Sequence, residues 1–270
     1  MSAHGVRRVR PAAVAGTFYP ADPGELRAEI SSALAAVDRR AKDAPVPKAL
    51  VVPHAGYQYS APVAASAFAR IAGAAEGIER VVLVGPSHRV ALNGLAVSTA
   101  DAFETPLGTV PIDDGLRSVA LRQPVVVADD RPHALEHSLE VQLPVLQVLL
   151  DGHFEFLPLA AGACEPRDVA DVLEGIWGGA ETLVVISTDL SHYHPYDEAK
   201  SLDSRTAAAV VAGRIGQVGH SDACGATGLR GLMEVAHRRG LQTDLLDLRS
   251  SGDTAGDRNR VVGYGAFALL

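Results

Sequence analysis

VVLVGPSH, residues 81–88, runs four aliphatic residues straight into Gly85, Pro86, Ser87 and His88. Short, charge-free, β-branched runs of this kind read as strands buried on both faces, as in an α/β sheet. The pattern recurs twice. ALVVP (49–53) runs into His54-Ala55-Gly56-Tyr57, and LVVIS (183–187) runs into Thr188-Asp189-Leu190-Ser191-His192. Ligands of such sheets bind outside the carboxyl ends of the strands. Three imidazoles delivered to one sheet edge therefore point to a metal or proton-transfer site.

Outward from these runs, strands alternate with helical segments. DPGELRAEISSALAAVDRRA (22–41) predicts an amphipathic helix, with Asp22 as cap, Pro23 at its first position and Glu25 three residues after Asp22. A Pro-rich link (43–48) leads to the first strand. A helix over 60–73, capped by Ser60, separates it from the strand at 81–84, making one βαβ unit. Residues 94–113 read as a hairpin-like excursion around Glu104-Thr105-Pro106-Leu107-Gly108, and 125–130 as a strand. Leucines at 135, 139, 143, 146 and 150 predict a helix over 133–150, kinked at Pro144. Strands at 155–160, 243–249 and 262–269 and helices over 197–213 and 222–239 complete the chain. The expectation is a single α/β domain over residues 1–270, with a mostly parallel or mixed central sheet flanked by helices.

Composition narrows the function classes. The chain has 270 residues, 47% of them hydrophobic, and a formal net charge of -8 without a long basic run. Nucleic acid and anionic membrane are disfavoured as partners. Two cysteines make neither a CxxC motif nor a disulfide framework, which fits a reduced, cytoplasmic setting. The first twenty residues hold no apolar core of signal-peptide length, and no run of about 18 apolar residues exists to span a membrane.

Each chemical candidate has a plainer reading beside it. His54 and His88 could be turn histidines, but two at the ends of strands one helix apart are more specific than either alone. If those strands are neighbours, about 4.8 Å apart, both imidazoles reach one ion. Asp189 could cap a helix, or hold the tautomer of His192 for acid/base work. Cys224 could pack as a small apolar residue. With Ser221 or Asp222 as N-cap it would instead sit in a first helical turn, where the dipole lowers a thiol pKa and favours thiolate. Glu136 and Glu140 would share a helix face beside His137, and a solvated acidic surface is the alternative. Cys164 and His4, His133, His153, His194, His220 and His237 read as ordinary. No Walker A loop, GxGxxG, GxSxG or HExxH is present, so nucleotide binding and serine hydrolysis lose their usual support.

The segments AGTFYP (15–20), VPHAGYQYSAPVAA (52–65), VGPSHRV (84–90), FETPLG (103–108), EHSLEVQLP (136–144), STDLSHY (187–193), ACGATG (223–228) and VVGYGAF (261–267) together resemble the Memo-like family, the AmmeMemoRadiSam system protein B group of prokaryotes. The resemblance implies a fold like the class III extradiol (LigB-like) dioxygenases. It implies a metal pocket of His54, His88 and Cys224 for iron, copper or zinc, with Asp189 and His192 lining it and His137 nearby. A His2Cys set differs from the 2-His-1-carboxylate triad of non-haem iron oxygenases, so the fold does not by itself deliver that activity. The function expected is a metal-binding oxidoreductase of extradiol-dioxygenase type on a small diol-like substrate. His192, Asp189 and His137 would be its catalytic residues. The alternatives are a non-catalytic scaffold whose pocket takes a peptide or small ligand, and a metal-dependent hydrolase. Other members of the AmmeMemoRadiSam system are the expected protein partners.

Overall fold

The computed structural model describes residues 8–38 and 44–270. The end of the helix expected over 22–41, the start of the 43–48 link and His4 lie outside the described residues. The strands are β1 (Val9–Arg10), β2 (Ala49–Val52), β3 (Arg80–Pro86), β4 (Leu95–Val97), β5 (Ala102–Thr105), β6 (Gly108–Pro111), β7 (Val126–Ala128), β8 (Glu155–Ala161), β9 (Thr182–Ser187), β10 (His192–His194), β11 (Thr243–Ser250) and β12 (Val261–Leu269). The helices are α1 (Pro23–Ala35), α2 (Tyr57–Phe68), α3 (Asp114–Ala120), α4 (Arg131–Ala134), α5 (Leu143–Leu149), α6 (Pro166–Gly175), α7 (Tyr196–Val211) and α8 (Ala226–Arg239).

Among the described residues, nine strands form one mixed sheet in the order β10-β12-β2-β9-β3-β8-β4-β7, with β11 also paired to β12. Its centre, β2-β9-β3-β8, is parallel, whereas β4 and β12 join it antiparallel. β2 and β3 are not neighbours. β9 inserts between them, with Val51 beside Ile186 and Ile186 beside Val84. A crossover can skip a strand position, which sequence order does not reveal. The consequence is favourable for a site, because the ends bearing His54, Asp189 and His88 become consecutive. β1, β5 and β6 form a separate small sheet that contains the expected hairpin.

Burial on both faces, as the apolar runs imply, is visible in the core, where successive residues alternate between two helical layers. Val51, Val82, Val84, Val184 and Ile186 face α6 and α8, while Leu50, Val52, Val81, Leu83 and Val185 face α1, α2 and α5. These side chains are fully buried, and each such aliphatic contributes about 1.5–3 kcal/mol. Asp22 caps α1 by accepting from Gly24 and Glu25 amides, with Pro23 opening the helix.

Three local expectations fail for identifiable reasons. α2 begins at Tyr57, not near Ser60, whose hydroxyl instead donates to the Ala55 carbonyl. The helix expected over 133–150 is three pieces: α4, a 3-10 turn at Glu140–Gln142, and α5, with Pro144 in the first turn of α5. Proline fits a helix start better than a helix interior. Residues 136–138 form a loop, because the Glu136 carboxylate takes the amides of His137 and Ser138. α8 starts at Ala226, so Cys224 precedes the helix. Asp222 accepts from the Gly219 amide in a local turn and caps nothing.

Candidate metal centre

Each ligating atom is placed by an element end. Pro53 and His54 close β2, and the His54 amide donates to Asp189 Oδ1 at 2.7 Å, tying the β2 turn to the β9 turn. His54 Nδ1 lies 3.0 Å from Ser187 Oγ. That hydroxyl spends its one hydrogen on the Ser138 carbonyl (2.6 Å) and accepts from Gln142 Nε2 (2.8 Å). Gln142 gives its other hydrogen to the Pro53 carbonyl at 2.9 Å. Ser187 can therefore only accept from His54. Counting donors places the hydrogen on Nδ1 and leaves the Nε2 lone pair free. Nε2 faces Cys224 Sγ at 3.3 Å.

His88 is fixed by a carboxylate. Its amide donates to Glu136 Oε2 at 2.7 Å, and its Nδ1 lies 2.9 Å from Oε1. A carboxylate on one ring nitrogen directs the other toward a metal and raises its basicity. Burial pushes the Glu136 carboxyl up, but its hydrogen bonds to His88 and Ser138 outweigh that and hold it at about 2. His137 stacks on His88 with ring centroids 4.7 Å apart, and its Nδ1 is 3.2 Å from the same carboxylate. Burial lowers His137 to about 4, so it is neutral at pH 7. The Gly85 backbone lies so close to Ser138 that an added Cβ would fall 2.8 Å from Ser138 Oγ.

Cys224 reaches the set from the turn before α8. Its Sγ accepts from the Asp189 amide at 3.3 Å, and its own amide donates to the Asp189 carbonyl. This approach requires Gly225, where a Cβ would sit 2.6 Å from that of Thr188. The expectation of a dipole-lowered thiol is not met. Burial, with the nearby Asp189 charge, pushes the thiol up to about 12, and no helical turn surrounds it to oppose this. Asp189 shows the same stress. Burial raises it to about 7 against the hydrogen bonds from the His54 and Ala55 amides.

One ligand atom from each of His54, His88 and Cys224 lies within 4.8 Å of the others, as do those of the adjoining trio His88, Glu136 and His137. In the second trio Glu136 is already occupied by amide and imidazole donors. The first trio is the better holder: two imidazoles, with the His54 Nε2 lone pair meeting the thiol, and a half-buried neutral thiol that a cation would ionise. Its chemistry suits a soft or borderline metal.

A cleft of about 600 Å³ opens onto this edge, lined by His54, His88, His137, Asp189 and His192. Cys224 is not part of that lining. Asp189 does not hold His192. The Leu190 carbonyl does, 2.8 Å from Nδ1, so Nδ1 carries the hydrogen and Nε2 is the acceptor. Burial lowers the His192 pKa, keeping the ring neutral. The sequence reading did not single out Ser187, Gln142, Phe18, Tyr59, Tyr193, Tyr264 or Arg260. All but Arg260 lie in the segments quoted for the family resemblance, which was the available signal.

A family model described as "Memo-like protein" matches residues 10–268. A protein of Aquifex aeolicus named a MEMO1 family protein is 36% identical over 276 residues, covering 97% of this chain and 100% of its own. One of Methanopyrus kandleri is 38% identical over 279 residues, covering 96% and 98%. One of Sulfolobus acidocaldarius is 35% identical over 279 residues, covering 95% and 97%. Among the described residues, no helix is long and apolar enough to cross a membrane.

Proposed function

The chain belongs to the Memo-like family, and from that footing we propose that it is a non-haem metalloprotein, an oxidoreductase of extradiol-dioxygenase type acting on a small diol-like substrate. The observation that carries the reading is the convergence of His54, His88 and Cys224 ligand atoms within 4.8 Å, beside an open cleft. Iron is the metal of choice, because zinc has no redox chemistry and O2 activation needs it. Iron bound here would supply Lewis acidity toward a diol and electrons toward O2.

The chain's own residues supply the remaining parts. His54 and His88 offer Nε2, each oriented by the partner on its Nδ1. Cys224 must lose a proton to ligate, so metal uptake releases one and weakens in acid. His192, neutral with a free Nε2, can accept a proton from a substrate hydroxyl entering the cleft. His137 lines the same cleft as a second neutral base. Asp189 couples the His54 turn to the Cys224 turn, so its role is to position ligands.

Protein purified without oxygen tests the proposal. Plasma mass spectrometry should find about one iron per chain, and an oxygen electrode should record O2 uptake with a catechol-type diol. Failure to retain or take up any metal overturns the centre. Stoichiometric metal without uptake for any diol in a screen retains the centre and sinks the dioxygenase reading.

A further inference from the structure

We propose that the rim of this cleft carries an anion-recognition subsite, formed by Arg260 on Tyr193, so that the ligand is a planar diol bearing a carboxylate or similar anionic substituent. The inference rests on the diol reading above and deepens it.

Tyr193 is the first observation. It sits in β10 where the pairing with β12 shifts register between His192 and His194, and its φ is +64°. Left-handed backbone at a non-glycine residue costs roughly 1–3 kcal/mol and persists where surroundings impose it. A bulge re-aims a side chain. Here the ring is 62% exposed, lines the cleft, and meets the His192 ring edge-on at 5.7 Å.

Arg260 is the second. Its guanidinium carbon lies 5.0 Å from the centroid of the Tyr193 ring, and Arg260 lines the same cleft. Among the described residues it makes no ion pair, while Arg238 and Arg249 are each tied to carboxylates. Two acids share its loop: Asp253 accepts from the Tyr196 hydroxyl, and Asp257, which lines the same cleft, accepts from the Asn259 amide at 2.7 Å. A guanidinium stacked on a ring keeps its donor fork free and loses little freedom when it binds a carboxylate. His192, Tyr193 and Arg260 thus form a chain of contacts from the half-buried proposed proton acceptor to an exposed guanidinium. Phe18, Tyr59 and Tyr264 supply further aromatic wall, which suits a flat ring. The chain as a whole carries -8, so a preference for anions would be local in origin.

The test uses three probes: catechol, 3,4-dihydroxybenzoate and benzoate. Calorimetry without oxygen on the iron(II)-loaded protein should show 3,4-dihydroxybenzoate binding about tenfold tighter than catechol at low salt, the effect of one charge-assisted contact. The preference should shrink with added salt. Arg260→Gln should cut it to about twofold. Arg258→Gln should not, because that arginine stacks on Tyr196 and does not line the cleft. Arg260 is exposed, so the variant should fold, which circular dichroism checks. Benzoate binding to the metal-free protein should also fall in Arg260→Gln. Equal affinity for the two diols, or a preference that survives Arg260→Gln, overturns the subsite and leaves the diol reading intact. Loss of both diols with Arg260-dependent benzoate binding retains the subsite and overturns the diol reading. No binding of any probe overturns both.

Discussion

Glu140 and Asp189 are both carboxylates buried within the fold, and their surroundings treat them in opposite ways. Glu140 accepts from the Arg10 guanidinium, the Ala13 and Val14 amides (2.8 and 3.0 Å) and the Tyr19 hydroxyl (2.5 Å). Arg10 in turn donates to the carbonyls of His133 and Glu136. This knot straps residues 10–19 to the loop that carries Glu136 and His137, and Phe18 from that strap packs on the His137 ring at 4.6 Å. Among the described residues Asp189 accepts from backbone amides and pairs with no cation, and burial leaves it at about 7 beside a thiol at about 12. One carboxylate is compensated by its own chain and holds the fold. The other waits for a charge from outside, as expected of a ligand-binding site.

Glu140→Ala makes the sharpest break in the comparison. Removing one partner strands Arg10 in the interior, so urea unfolding should show a loss of about 3–5 kcal/mol. A loss below about 1 kcal/mol would mean the knot is ornamental. Cys224→Ser should behave oppositely. The fold, resting on the buried strands, should keep its circular dichroism, while metal affinity falls by more than the roughly 10–100-fold that supporting residues command. Equal metal content in native and variant protein would remove Cys224 from the ligand set.

Asp189→Asn gives the smallest effect and the finest distinction. The folded-state value of about 7 lies above the ordinary 3.8. Between those values the folded chain keeps a proton that the unfolded chain releases, so this group's contribution to stability is full below about pH 4 and declines as pH rises through 7. Asparagine removes the decline. Metal-free Asp189→Asn should match the native protein near pH 4 and exceed it by at least about 1 kcal/mol at pH 8, the gap opening as pH rises from about 4 to 7, since the folded value already includes the amide bonds. A variant less stable than native at pH 8 would place Asp189 with Glu140, as a structural acid.

The strand runs, their burial on both faces and their histidine-bearing ends were legible in the sequence, because continuous aliphatic runs and turn residues are local signals. His54 and His88 were legible for the same reason. The 133–150 segment was not. Its leucine spacing mimics a helix, yet Glu136 takes the amides that a helix would use, and Pro144 begins a helix instead of bending one. Glu136 and Glu140, expected on one acidic face, diverge into a ligand-orienting acid and a structural anchor.

The order of residues along the chain specifies the α/β class, the strand ends that bear the chemistry and the residue types offered to a metal. Tertiary contacts alone settle that β9 lies between β2 and β3, that Ser187 and Gln142 set the His54 tautomer, and that Cys224 is a half-buried neutral thiol and not a helix-end thiolate. These outcomes depend on which groups far apart in the chain share one low-dielectric space. Strand order, hydrogen-bond partner and desolvation are properties of that shared space, and no window of neighbouring residues contains them.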